Sequence, residues 1–291
     1  MSKLNHIFTA ALLAIILALT CSNRVWADEY IAPDSIKVKT PVYRPEFADF
    51  DPALGSYTYT VSWQGIPAAT VTVNVDQDEM YYHLNVNART YSGIDIFYKL
   101  RYSAEGLVSS YDLSPIKTTI DHRENSRIKN ISIQFYDDGR IEASRVTNKE
   151  QPKVLNFNPD NFTLDPFSAA FLARSLRWEK GQSRAFDTFN GKSRYLITLT
   201  CEDEISMKVN DLERKVWVIT PKVENLSYPT SNNKLRSAEI YVTADKSREI
   251  LQIVSKVFVG SVSTRMVSFK ESEKHIPLTR VARNRTGSYL Q

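Results

Sequence analysis

Cysteine is nearly absent from this 291-residue chain: Cys21 and Cys201 are the only two. Two thiols exclude both a multi-disulfide framework and a four-cysteine zinc site. Histidine is also scarce. Beyond the N-terminus only His83, His122 and His275 remain, and none falls in the His-x-x-x-His or Glu-x-x-His spacing that sets two metal ligands on one helix face. The chain has no Gly-x-Gly-x-x-Gly or phosphate-loop run, which removes the usual nucleotide cradles, and no Gly-x-Ser-x-Gly elbow for a nucleophile. Asp203 and Glu204 are neighbours in an extended run and therefore face opposite sides, unlike a cooperating acid and base. An excess of one charge is missing as well: 37 Lys and Arg stand against 33 Asp and Glu, a net +4 that does not indicate nucleic-acid binding. These absences lead to the expectation of a non-enzymatic protein with no cofactor and no metal.

What is present begins with an export signal. Lys3 gives a positive start, Ile7 to Leu19 is an almost unbroken apolar run, and Val25-Trp26-Ala27 offers small residues at the −3 and −1 positions of a cut before Asp28. Some 13 apolar residues fall short of the roughly 20 that span a bilayer, so residues 1–27 are expected to be a cleaved signal peptide and the product to be periplasmic. A lipoprotein anchor at Cys21 fits less well, because Thr20 and Ala18 occupy positions where such signals carry other residues. Cutting after Ala27 removes Lys3 and Arg24 and leaves 35 basic against 33 acidic residues. No later stretch is apolar and long enough to cross a membrane as a helix.

Residues 28–54 carry Pro33, Pro41, Pro45 and Pro52 without a sustained period, which reads as an extended lead-in. From Tyr57 the pattern becomes period two and stays so across a β-rich unit spanning 55–272. Tyr57, Tyr59, Val61 and Trp63 alternate with Thr58, Thr60 and Ser62; Gln64-Gly65-Ile66-Pro67 breaks the run as a longer hairpin loop; Ala69, Val71, Val73 and Val75 resume it. Tyr82, Leu84, Val86 and Ala88 share the next face. Further strands are read at Ile131–Phe135, near Ile141, at Ala185–Phe189, Tyr195–Leu199, Val216–Ile219, Ala238–Thr243, Ile250–Val259 and Val262–Phe269. Asp137-Asp138-Gly139, Asn190-Gly191 and Asp245-Lys246-Ser247 mark antiparallel turns. Cys201 follows Tyr195, Ile197 and Leu199 on the more apolar face, so burial is expected rather than catalysis. About a dozen short strands at close spacing predict a sandwich, barrel or open barrel. The stretch from 273 to 291 is basic, patternless, and expected to be flexible.

Helix is confined to two places. Asp165 followed by Pro166 gives an N-cap and a first-turn proline, and Phe167, Phe171 and Leu172 then fall on one side of a helix running to Leu176. A shorter helix is expected over Ile94–Tyr102, where Ile94, Phe97 and Leu100 recur every third residue. Ser168 sits one turn from Asp165, and capping explains both residues without catalysis. His122 shares a face with Ile116, Thr118 and Ile120 and is flanked by Asp121, Arg123 and Glu124, a pattern that fits either a polar barrel mouth or an ordinary strand end.

Several of these segments resemble the bacterial exported family known as domain of unknown function 3108. Asp165 to Arg174 is similar to that family's Asp-Pro, small-or-apolar, Arg signature. Tyr57–Ile66, Gly106-Leu107 leading to Leu113-Ser114-Pro115, and Asp245 through Arg248 to Gly260-Ser261-Val262 support it, so that the likeness covers about Tyr57 to Phe269. Ala69 departs from it, standing where the family tends to have glycine. The resemblance implies a mainly β fold, a large antiparallel sheet curled into an open barrel or β-spiral, with the helix at about 165–176 on it or inside it. No activity attaches to the family. On this basis Asp165, Phe167, Phe171, Leu172 and Arg174 are ligand or helix-plug candidates, with Arg174 at the rim or in an internal ion pair, and His122, Arg123 and Glu124 form a candidate polar mouth. The expected function is to bind an apolar ligand, a lipid, a lipoprotein or a peptide in the groove, with a lipid, a lipoprotein or an envelope protein as partner; the alternatives are a scaffold protein with a self-filled core and, last, a hydrolase using His122 or Ser168.

Overall fold

The computed structural model describes residues 30–209, 212–229, 237–256 and 260–272. The expected signal peptide with Cys21, the end of the strand read to Val259, and the basic tail with His275 lie outside the described residues. The elements run β1 (Gly55–Trp63), β2 (Ile66–Gln77), β3 (Tyr81–Thr90), α1 (Ser92–Asp95), β4 (Leu100–Ser109), β5 (Pro115–Glu124), β6 (Arg127–Phe135), β7 (Ile141–Thr147) and β8 (Lys153–Phe157). Then follow β9 (Thr163–Leu164), α2 (Pro166–Ser175), β10 (Ser183–Phe189), β11 (Arg194–Val209), β12 (Leu212–Asn225), β13 (Ser237–Thr243), β14 (Ile250–Lys256) and β15 (Ser261–Glu271).

All fifteen strands among the described residues belong to one sheet, ordered β8-β7-β6-β5-β4-β3-β2-β1-β15-β14-β13-β12-β11-β10-β9. Every pairing is antiparallel except the short parallel pairing of β9 with β10. The order itself forces curvature. Fifteen strands at about 4.8 Å spacing would spread nearly 70 Å if flat, yet the two edge strands β8 and β9 are joined by residues 158–162 alone. That linker reaches no more than about 22 Å when fully extended. The sheet therefore wraps round until its edges approach, without closing into a hydrogen-bonded barrel. Cross-lumen contacts confirm the wrap: Phe157 of β8 lies edge-on to Phe189 of β10, with ring centroids 5.0 Å apart. The expected open barrel is the fold observed.

The period-two alternation sets the inner face. Tyr57, Tyr59 and Val61 on β1, Tyr82, Leu84, Val86 and Ala88 on β3, and Tyr102 and Ala104 on β4 are all buried, while His83, Asn85 and Asn87 point away from the core. Two local expectations are corrected. The break at Gln64-Gly65 is a two-residue turn with φ of 48° and 84°, and β2 resumes at once at Ile66, its offset absorbed by a register shift after Val61. The helix expected over Ile94–Tyr102 is only the single turn α1; the chain re-enters the sheet at Leu100, leaving Phe97 67% exposed while Tyr98 and Leu100 are buried. The three-residue recurrence came from strand residues abutting a turn, and no apolar stripe exists for a helix to bury.

Residues 30–54 form a strap fastened to the sheet and to the core. The Ile31 amide donates to the Ser227 carbonyl and the Asp51 amide to that of Lys246; the Tyr43 hydroxyl accepts the Ala185 amide; Ile36 and Phe50 are buried. The fastening at its centre is Arg194, fully buried, whose guanidinium donates to the Pro33 and Ile36 carbonyls at 2.8 and 3.0 Å and pairs with the equally buried Asp187. Asp187 also accepts from Thr163 and Asn161, tying the strap, β9, β10 and β11 into one polar knot.

Candidate functional site

The helix α2 is set by its first residues. Asp165 is extended, at φ −86° and ψ 171°, and its carboxylate accepts the Ser168 amide hydrogen at 2.6 Å, with Pro166 opening the helix. The Thr118 hydroxyl of β5 donates to the other oxygen, so the cap is also the anchor to the sheet. Burial pushes the Asp165 pKa up against these hydrogen bonds. Phe167, Phe171 and Leu172 face inward and are buried. Phe167 lies flush on Gly106 of β4, where an added Cβ would come within 2.5 Å of its ring. Phe171 meets the rings of Tyr82 and Phe50 at 5.2 and 6.2 Å. The helix thus sits inside the curl of the sheet.

Arg174 follows on the same helix. It is half-buried, and its donors go to the turn between β13 and β14 rather than to a carboxylate: Nε donates to the Arg248 carbonyl at 2.7 Å and an Nη to that of Ser247 at 3.1 Å. Its guanidinium stacks 5.3 Å from the Phe171 ring centre. Desolvation pulls its pKa down, with Tyr57 and Tyr59 nearby opposing this. The same burial pushes the Tyr57 hydroxyl up to about 12, and that hydroxyl donates to the Ala53 carbonyl at 2.7 Å.

Between α2 and the sheet lies a cavity of about 150 Å³. Its wall is hydrocarbon and aromatic, drawn from β1 to β3 on one side and from β10 to β14 on the other, with Arg174 the one charged lining residue. Val73, Ala169, Leu199 and Ile250 in that wall are only partly buried and Ala170 is exposed, so this stretch faces accessible space rather than packed neighbours. A wider depression of about 510 Å³ adjoins it, sharing Trp178. The depression is lined by both signs of charge, and its lysines are spent on ion pairs: Lys180 on Asp203 at 3.0 Å and Lys215 on Glu204 at 2.9 Å.

His122, Arg123 and Glu124 do not assemble as a mouth. As consecutive residues of β5 they alternate: His122 is 3% exposed on the inner face, while Arg123 points outward into an ion pair with Asp121 at 2.8 Å. Glu124 shares the inner side with His122, 4.0 Å away. Both ring nitrogens of His122 are buried without a hydrogen-bond partner, while Ser168 lies beside the capping carboxylate of Asp165. Burial, then Lys129 and Arg127, lower the His122 pKa to about 4. Among the described residues no group of three or more His, Cys, Asp or Glu could hold a metal ion, and no helix is long and apolar enough to cross a membrane.

A curled, unclosed sheet around one capped helix with an apolar hollow beneath it defines an open β-barrel class. The chain belongs to the family described as Protein of unknown function (DUF3108), whose profile matches residues 58–267. Among curated proteins none matches. Among solved structures, the β-barrel-like protein of domain of unknown function DUF1849 from Brucella abortus is similar at a TM-score of 0.51 and 8% identity, over 77% of this chain and 99% of that one. A protein assigned as a lipoprotein from Parabacteroides distasonis aligns over 78% of this chain and 100% of its own, at 7% identity and a TM-score of 0.31. The likeness to the Brucella abortus protein, at 8% identity, concerns fold alone.

Proposed function

We propose that this is an exported, non-enzymatic protein of the cell envelope that holds the end of an apolar chain, such as a lipid acyl tail, in the hollow between α2 and the sheet. The observation that carries this reading is the hydrocarbon cavity of about 150 Å³ with a single charged lining residue. A hollow of that size accepts an apolar group about as large as benzene, and an alkyl terminus fits such a wall better than water does. Export rests on the N-terminal pattern, with Lys3, the apolar run to Leu19 and Ala27 as the cleavage residue.

A second reading, a scaffold protein of the envelope with a self-filled interior, is favoured by the burial of Phe167, Phe171 and Leu172 against the sheet. Lipid extraction and mass spectrometry of the protein purified from its native envelope separate the two. A reproducible, near-stoichiometric acyl lipid supports the carrier; its consistent absence overturns the carrier and leaves the scaffold.

A further inference from the structure

The wall of the apolar hollow carries one full charge, the guanidinium of Arg174. A cation half-buried among hydrocarbon and aromatic side chains is costly unless an anion or several acceptors answer it. Two acceptors do: the side fork of the guanidinium, made by Nε and one Nη, donates to the Arg248 and Ser247 carbonyls at 2.7 and 3.1 Å. A guanidinium has five N–H groups, so the end fork between its two Nη atoms is left over. The rings of Phe171 and Phe50, with centres 5.3 and 5.8 Å away, offer the cation only their faces.

Among the described residues no carboxylate is paired with Arg174: Glu249, whose field reaches it, is held by Arg214, as is Asp245. The tyrosines of β1 place the guanidinium beside the hollow. Tyr57 and Tyr59 both line it, and the field of Arg174 opposes the rise that burial gives their hydroxyls. Ala170 stands one helical turn before Arg174 and so on the same side of α2; it also lines the hollow and is exposed. The charge thus stands near the place where the hollow opens to solvent.

Resting on the reading of the hollow as an acyl site, we propose that its ligand is an aliphatic monocarboxylate, a fatty acid rather than a neutral alkyl chain, whose carboxylate takes the remaining fork of Arg174 while its alkyl part enters the hollow. One guanidinium neutralises one carboxylate and matches its two oxygens in plane. A phosphate dianion would find half of its charge unanswered there. A hollow that accepts a group about as large as benzene takes about six carbons, which suits an acid of about eight.

The test is calorimetric titration of the chain from Asp28 onward with octanoate, 1-octanol and octylammonium, on the wild type, Arg174→Gln and Ala170→Trp. A wholly apolar wall prefers the alcohol, whose neutral head loses less on leaving water than a carboxylate does. Arg174 should reverse this order, so that the wild type binds octanoate about tenfold tighter than 1-octanol, with octylammonium weakest. Arg174→Gln, which keeps a donor for the turn carbonyls, should lose the preference for octanoate and still bind 1-octanol. Ala170→Trp, which fills the hollow, should weaken octanoate and 1-octanol alike. Octanoate bound no tighter than 1-octanol by the wild type overturns the carboxylate and leaves the hollow as a neutral acyl site, whether or not Arg174→Gln folds. A preference for octanoate that survives in Arg174→Gln overturns it too, by placing the anion elsewhere. Binding of neither ligand by the wild type removes the hollow as a site, and this ligand with it.

Discussion

Single residues carry the sharpest physical statements here. Cys201 is fully buried in β11, and desolvation pushes its thiol pKa up, so the native protein should be silent to a thiolate-selective reagent while the denatured protein reacts at once. Labelling of the native thiol at the denatured rate would contradict its position. His122 makes a pH-dependent claim. Its folded pKa of about 4 lies below the ordinary 6.5, so the native state binds fewer protons than the unfolded one. Its contribution is complete above about pH 6.5 and drains away as the pH falls toward 4, by roughly 3 kcal/mol. Asp165, raised by burial, pulls the other way, so the comparison must be with His122→Phe, which keeps the edge contact to Tyr102 at 5.9 Å. Urea midpoints measured across this range should fall more steeply for the wild type than for the variant. Equal slopes would show that the imidazole does not titrate there. The knot at Arg194 gives a third expectation: Arg194→Met leaves Asp187 buried without its cation and should cost about 3–5 kcal/mol in chemical denaturation, whereas a loss under 1 kcal/mol would place the pair in solvent.

Among elements, α2 has the clearest logic, since one carboxylate caps it and anchors it. Asp165→Asn keeps the acceptor for the Ser168 amide and should be tolerated better than Asp165→Ala, which loses the cap at about 1 kcal/mol and strands the Thr118 hydroxyl besides. Gly106→Val tests the seat of the helix: the new side chain would strike the Phe167 ring, so a loss of about 1–3 kcal/mol is expected. A neutral effect in thermal melts would mean that the helix does not rest there. The helix was legible in the sequence because cap, proline and apolar side all occur within eight residues. So were most strands, whose wet and dry faces impose a visible alternation. The Ile94–Tyr102 segment misled because spacing by threes also arises where a turn runs into a strand. Arg194 and Asp187 left no trace, since period two tells which face a residue takes and nothing about which distant strand it will face.

At the scale of the whole molecule, the sheet order is what turns strands into a container. A meander from β1 to β8 and a return from β10 to β15 would make two separate sheets had β15 not paired with β1, and the short link to β9 then draws the two outer edges together. Nothing in the alternation announces that the chain jumps from one edge of the sheet to the other after Phe157, which is why sandwich and barrel stood equally open on residue pattern alone. The container has an apolar hollow between α2 and the sheet, and the central claim is that the hollow is a binding site rather than a flaw in the core. Fluorescence titration of the chain from Asp28 onward with an anthroyloxy-labelled fatty acid, run on the wild type and on Ala170→Trp, tests this directly. The account predicts saturable binding by the wild type, weakened at least about tenfold in the variant with its melting temperature unchanged; absent binding, or equal binding by both proteins, would contradict it.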